Sequence, residues 1–192
     1  NVGKMQEVIS KALANAKAFL SKEDRLIDST VDRDLGNADV LLAQVATQIN
    51  RREFLAAQRT LDEANKLVRT AASSANEQAR RLNVLLKDVV AVKDIAVRQV
   101  ATARREQNAL PAASRTSEAE SFVRDAENAL QEAQRAEVNL GRLEDRALTE
   151  GLDRTLNAYR QAKKSVDRAL AQITEDKRRY DRIYNEVQEC VS

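Results

Sequence analysis

From Phe54 to Ala103 the chain is apolar at every seventh residue: Phe54, Leu61, Val68, Ala75, Leu82, Val89, Ala96 and Ala103. A second series three residues on, Ala57, Ala64, Ala71, Leu85 and Val92, fills the other core position, with interruptions at Gln78 and Gln99. Two apolar series spaced in this way line one side of a helix, because side chains three and four residues apart share a helical face. No glycine or proline falls within the run. The spacing therefore predicts one helix of about 55 residues, on the order of 80 Å long at ~1.5 Å per residue.

The flanks carry similar stripes. Met5, Ile9, Ala12, Ala16, Phe19, Leu26, Leu35, Ala38, Leu42, Val45 and Ile49 form the first, with a slip in register between Leu26 and Leu35. The slip coincides with Asp34-Leu35-Gly36-Asn37, and a kink near Gly36 is expected because the stripe resumes at once. Asn50-Arg51-Arg52-Glu53 is a short polar spacer suited to a tight helix connection. The segment from Asn108 to Ser117 holds the single proline, Pro111, which disfavours helix just before it. Ser117 with Glu120 fits a capping box that would open the next helix.

That last helix carries Val123, Ala126, Leu130, Ala133, Leu140, Leu143 and Ala147, then Leu152, Tyr159, Val166, Ile173, Tyr180 and Val187. The two registers do not join smoothly, and Gly141 and Gly151 flank the mismatch, so a stutter, bend or break near Gly151 is expected. The expected fold is all-α: a single domain over 1–192, an elongated antiparallel three-helix bundle with helices at about 4–50, 52–108 and 117–190. The last helix is then the longest, and some 20 of its residues have no antiparallel neighbour. Tyr180, Ile183, Tyr184 and Val187 lie in that overhang and form a candidate apolar assembly patch.

Composition agrees. Aromatics are 3% of residues and Trp is absent, so the core must be thin and built from Leu, Val, Ile and Ala. Basic and acidic residues number 32 and 30 and are interspersed throughout, which is the pattern of a solvated helix surface. Nucleic acid is not an expected partner, since each basic pair has acidic neighbours and lacks interleaved aromatics to stack bases. No stretch approaches the ~20 apolar residues of a membrane span. The sequence begins Asn1-Val2-Gly3-Lys4-Met5, without an initiator Met or a secretory segment, which fits a processed ectodomain or an excised piece. Cys190 is the only cysteine, so no intrachain disulfide can form.

Chemistry is sparse. Histidine is absent, which removes the commonest general base and metal ligand, and with it triads of the Ser-His or Cys-His type. Di-metal sites in bundles rely on a Glu-x-x-His motif that cannot occur here. Four scattered glycines form no phosphate-cradling loop. Neighbouring carboxylates such as Glu118 and Glu120, or Glu175 and Asp176, sit in charge-rich helical stretches where a solvated surface is the ordinary outcome. No enzyme, cofactor or metal site is expected.

A long, alanine-rich, charge-balanced bundle with a proline-containing loop resembles the helical ectodomains of trypanosome surface proteins. These include the alanine-rich and glutamate/alanine-rich coat proteins, the metacyclic invariant surface protein, and the haptoglobin-haemoglobin receptor. The resemblance rests on the Phe54 to Ala103 run and the Asn108 to Ser117 loop. It implies a cell-surface coat or receptor-like protein, monomeric or weakly self-associating, held to the membrane only by a C-terminal lipid anchor beyond this sequence. Such an anchor would put the overhang near the membrane and the Pro111 loop at the outer tip, where Gln107, Asn108, Ser114, Arg115 and Thr116 would meet a protein partner or host ligand. The family's disulfides have no counterpart here. The competing expectation is an intracellular spectrin-like or coiled-coil adaptor whose overhang assembles with another chain.

Overall fold

The computed structural model describes residues 2–22, 29–143 and 145–191. Every regular element among them is helical: α1 (Val2–Lys22), α2 (Ser29–Asn50), α3 (Phe54–Ala109), a 3-10 turn at Ala112–Ser114, α4 (Ser117–Leu140) and α5 (Asp145–Val191). The described residues thus hold five α-helices where three were expected.

Helix α3 comes out as its heptads require. The first connection also falls where the polar spacer placed it, and it is a Schellman-type stop. The N–H of Glu53 donates to the Gln48 carbonyl at 2.9 Å and that of Arg52 to Ile49 at 2.9 Å. Arg52 takes φ 60°, a left-handed conformation usually left to glycine.

Gly36 does not break the helix; it lies inside α2, exposed. Residues 23–28, which lie in sequence between α1 and α2, and Leu26 with them, are outside the described residues, and so is the start of the expected register slip. The turn in the second half lies at Gly141, not Gly151. There the N–H of Arg142 donates to Asn139 at 3.2 Å and that of Leu143 to Leu140 at 3.1 Å. Gly151 is buried within α5, and its missing side chain is what lets the turn close. A Cβ there would stand 2.5 Å from Leu143 Cδ1 and 2.9 Å from Leu140 Cδ2.

The fold divides into two compact units. One takes the described chain up to Val84 together with the start of α5, to Thr149; the other takes 85–143 and α5 from Glu150 onward. Three helices supply the first core: Ile9 and Leu13 from α1, Val31, Leu35, Ala38, Leu42 and Val45 from α2, and Ala57, Leu61, Ala64, Val68, Ala71 and Ala75 from α3. Lys17 of α1 pairs with Asp39 of α2 at the surface. A fully buried Leu such as Leu35 or Leu61 contributes about 1.5–3 kcal/mol.

Three helices also supply a core cluster in the second unit: Val100 and Ala103 from α3, Val123 and Ala126 from α4, and Val166, Ala169 and Ile173 from α5. Arg104 reaches Glu120 and Glu127, Lys93 reaches Glu137, and Thr116 reaches Asp176. Those pairings, with Tyr159 on Glu137, run both α3 against α4 and α4 against α5 antiparallel.

The heptad frame drifts along α3. Phe54, first of its series, is 56% exposed. Past Ala96 the buried positions are Val100, Ala103, Gln107 and Leu110, so the second seam has moved one residue beyond Gln99. A helix at 3.6 residues per turn slides about 20° per heptad against a strict seven-residue repeat, and over several heptads that changes which residue faces the core.

Candidate functional site

The two surfaces singled out from the sequence, the Pro111 loop and the far end of α5, come together in the second unit. After α4 the chain turns at Gly141–Leu143 and α5 runs back along it, so residues 173–187 pass the loop. The expected fold set loop and overhang at opposite ends; the structure places them side by side. The expected separation required one unbroken last helix, and the Gly141 turn removes it.

The loop is held by its own side chains. Ser114 is buried and its hydroxyl donates to the Pro111 carbonyl at 2.8 Å. Arg115 donates from Nε to the Leu110 carbonyl at 2.8 Å and from Nη2 to the Asn108 carbonyl at 2.6 Å. Thr116, rather than Ser117, caps α4: its Oγ1 accepts from the Ala119 N–H at 3.2 Å. With Thr116 as the cap, the third helical residue is Ala119, so the expected capping box does not form, and Glu120 pairs with Arg104 instead. The Thr116 hydroxyl then donates to Asp176 at 2.6 Å, and Gln172 donates to the other Asp176 oxygen at 2.9 Å. Asp176 is only 5% exposed and pins the loop to α5.

Of the five residues expected to meet a ligand at this tip, Gln107 is buried, with its side-chain oxygen lacking a hydrogen-bond partner. Ser114, Arg115 and Thr116 are engaged in holding the loop. Asn108 is exposed and lends its carbonyl to Arg115. The loop is a brace more than an outstretched contact.

The four residues of the apolar patch lie differently. Ile183, Tyr184 and Val187 are each just over half exposed, and Tyr180 is half-buried. Tyr180 and Tyr184 stack, with centroids 6.2 Å apart and planes 22° from parallel. Spacings of three, four and seven put all four on one face. Together with Ala113, Ser114, Thr116, Asp176 and Arg179 they line a groove of about 410 Å³. A second cavity of about 580 Å³ lies across Tyr180, between Leu110, Pro111, Ile173 and Lys177. Asp176, expected on a solvated surface, is buried, and Arg179 was not singled out as part of the site. Asp176 was legible as an acidic residue between Ala169 and Ile183 on a seven-residue step, where a core side chain is expected.

Charge clusters nearby belong to the scaffold. The hydrogen bond to Glu127, then that to Glu120, holds the Arg104 guanidinium above its ordinary value. The same Arg104 hydrogen bond keeps Glu127 below its own. Burial pushes the Glu137 carboxyl up, but hydrogen bonds from Lys93 and Tyr159 outweigh it and leave the group lowered. Tyr159, fully buried, has its phenol raised by burial first and by the Glu137 hydrogen bond second. Glu120, Glu127 and Glu137 are thus each engaged with a cation or hydroxyl across the helices.

Among the described residues no three Asp, Glu or Cys side chains gather as a metal site would need, and no helix is long and apolar enough to cross a membrane. No family model matches the chain, and neither a curated protein nor a solved structure matches it.

Proposed function

We propose that this is a non-enzymatic helical-bundle protein that works by protein contact, and that the contact surface is the far end of α5. The observation that carries this reading is the apolar face of Tyr180, Ile183, Tyr184 and Val187, exposed on a helix whose residues 181–190 are all exposed. Such a face is the usual seat for a second amphipathic helix, read at the i, i+3, i+4 and i+7 positions. The groove beside it, floored by the braced loop, gives that helix a rigid edge to lie against.

Two settings use this surface equally well. One is a coat or receptor-like ectodomain, the kind that the likeness to helical-bundle surface proteins suggested; the other is a spectrin-like or coiled-coil adaptor. Protease treatment of intact cells separates them, because an ectodomain is cut and an interior adaptor is spared. The contact itself is tested by placing a photo-crosslinking residue at Ile183 and, as control, at exposed Asn157. A discrete crosslinked product at Ile183 alone supports the proposal; equal or absent crosslinking at both sites contradicts it.

A further inference from the structure

We infer that the helix seated on the end of α5 is the same segment of a second copy, packed antiparallel. The inference deepens the proposal above and rests on it. The charges on this stretch are sorted along its length. Residues 177–182 carry Lys177, Arg178, Arg179 and Arg182 against Asp181 alone, whereas residues 183–190 carry only Glu186 and Glu189. A parallel pair would set basic half on basic half. An antiparallel pair sets each basic half against the acidic half of its mate, and interfaces select partners in this way.

The placement around the apolar face makes the complementarity specific. Arg179 and Glu186 are seven residues apart, so they flank the same edge of the Tyr180, Ile183, Tyr184 and Val187 stripe. A two-fold axis across the stripe brings Arg179 of each copy to Glu186 of the other, twice per pair. The apolar residues then close on one another in the centre, Ile183 and Val187 meeting the stacked tyrosines. The interface is isologous and self-limiting, so it makes dimers and not filaments.

Cys190 distinguishes the two directions. In a parallel pair the two thiols adjoin, within reach of a disulfide. In an antiparallel pair centred between residues 181 and 185 they lie about 15 Å or more apart at ~1.5 Å per residue.

Sedimentation of the chain over a concentration series into the high micromolar range, with and without a mild oxidant, tests the inference. The expected result is a reversible dimer that forms no Cys190 disulfide. Arg179→Glu or Glu186→Arg alone should weaken it by roughly tenfold, two symmetric ion pairs being lost, and the double variant should restore it. Ile183→Asp should abolish it while leaving the helical content and melting temperature unchanged, the site being exposed. A monomer at every concentration, a dimer indifferent to Ile183→Asp, a double variant that is not rescued, or ready disulfide linkage of the dimer would each overturn it. If the chain stays monomeric while the Ile183 crosslinker still captures a different protein, the self-pairing fails and the contact surface stands.

Discussion

Replacing Tyr159 by Phe removes one oxygen from the centre of the second unit and nothing else. The ring is fully buried, and its hydroxyl donates to Glu137, whose other oxygen takes Lys93 at 2.8 Å. A hydrogen bond to a charged group contributes about 1.5–3 kcal/mol, and the partial exposure of Glu137 allows water to replace part of it, so the loss near neutral pH should be about 1–2 kcal/mol. In a chain of this length that lowers the melting temperature by about 2–8 °C. The alkaline behaviour should differ in the opposite sense. In the unfolded chain the phenol ionises near 10.0, whereas the folded protein holds its proton to higher pH. Above pH 10 the unfolded state of the wild type therefore binds fewer protons than the folded state, and wild-type stability falls by up to about 1.4 kcal/mol per pH unit. Tyr159→Phe has no such loss, and the remaining titrations are common to both proteins. Urea unfolding followed by circular dichroism from pH 7 to 11.5 should show the gap closing above pH 10, with the two stabilities meeting at about pH 11. Stabilities that run parallel across that range, or a neutral-pH difference below about 0.3 kcal/mol, would refute the buried hydrogen bond.

Gly36→Ala and Gly151→Ala make a matched pair. At Gly36 a Cβ meets nothing within 4 Å, so only the helix preference remains and thermal melts should show a gain of about 1 kcal/mol. At Gly151 the same gain is opposed by displacement of Leu140 and Leu143, costing about 1–3 kcal/mol, and the variant should be no more stable than wild type. Arg52→Gly relieves a left-handed φ of 60° and should stabilise the protein by about 0.5–1 kcal/mol in urea unfolding. At acid pH the lowered Glu127 and Glu137 contribute stability that is complete above the unfolded carboxyl value of 4.5 and is lost as pH falls through their folded values. Unfolding of wild type and Glu127→Gln should therefore differ at pH 7, and the difference should shrink as pH falls below 4.5 and through the lowered Glu127 value.

The all-helical fold was legible because two signals agree: the seven-residue apolar step and the absence of glycine and proline from Phe54 to Ala103. The connection at Arg51-Arg52 was legible from polarity alone. What failed was arithmetic on glycine. Gly151 and Gly141 both flank the register mismatch, and only packing separates them: the turn falls at Gly141, in ordinary right-handed backbone, and Gly151 lies where Leu140 and Leu143 leave no room for a side chain. At Gly36 the helix continues, since an exposed glycine weakens a helix without breaking it. The division of the expected last helix into α4 and α5, and with it the placement of α5 beside the Pro111 loop, depended on the turn at Gly141. Gln107 was misassigned to a surface because the heptad frame was carried on unchanged, whereas the helix drifts and brings Val100 and Gln107 inward. The patch at Tyr180, Ile183, Tyr184 and Val187 was found from spacing and excess length; its neighbours Asp176 and Arg179 needed the fold.

Whether α5 comes back past the loop is decided by one distance. In a Cys190→Ser background, spin labels at Ala113→Cys and Ile183→Cys, diluted with unlabelled protein to suppress distances between copies, should report a separation below about 25 Å. Both residues line one groove, and a cavity of that size is about 10 Å across. If α4 and α5 were one unbroken helix the same labels would stand on the order of 100 Å apart at ~1.5 Å per residue, and no short distance would be seen.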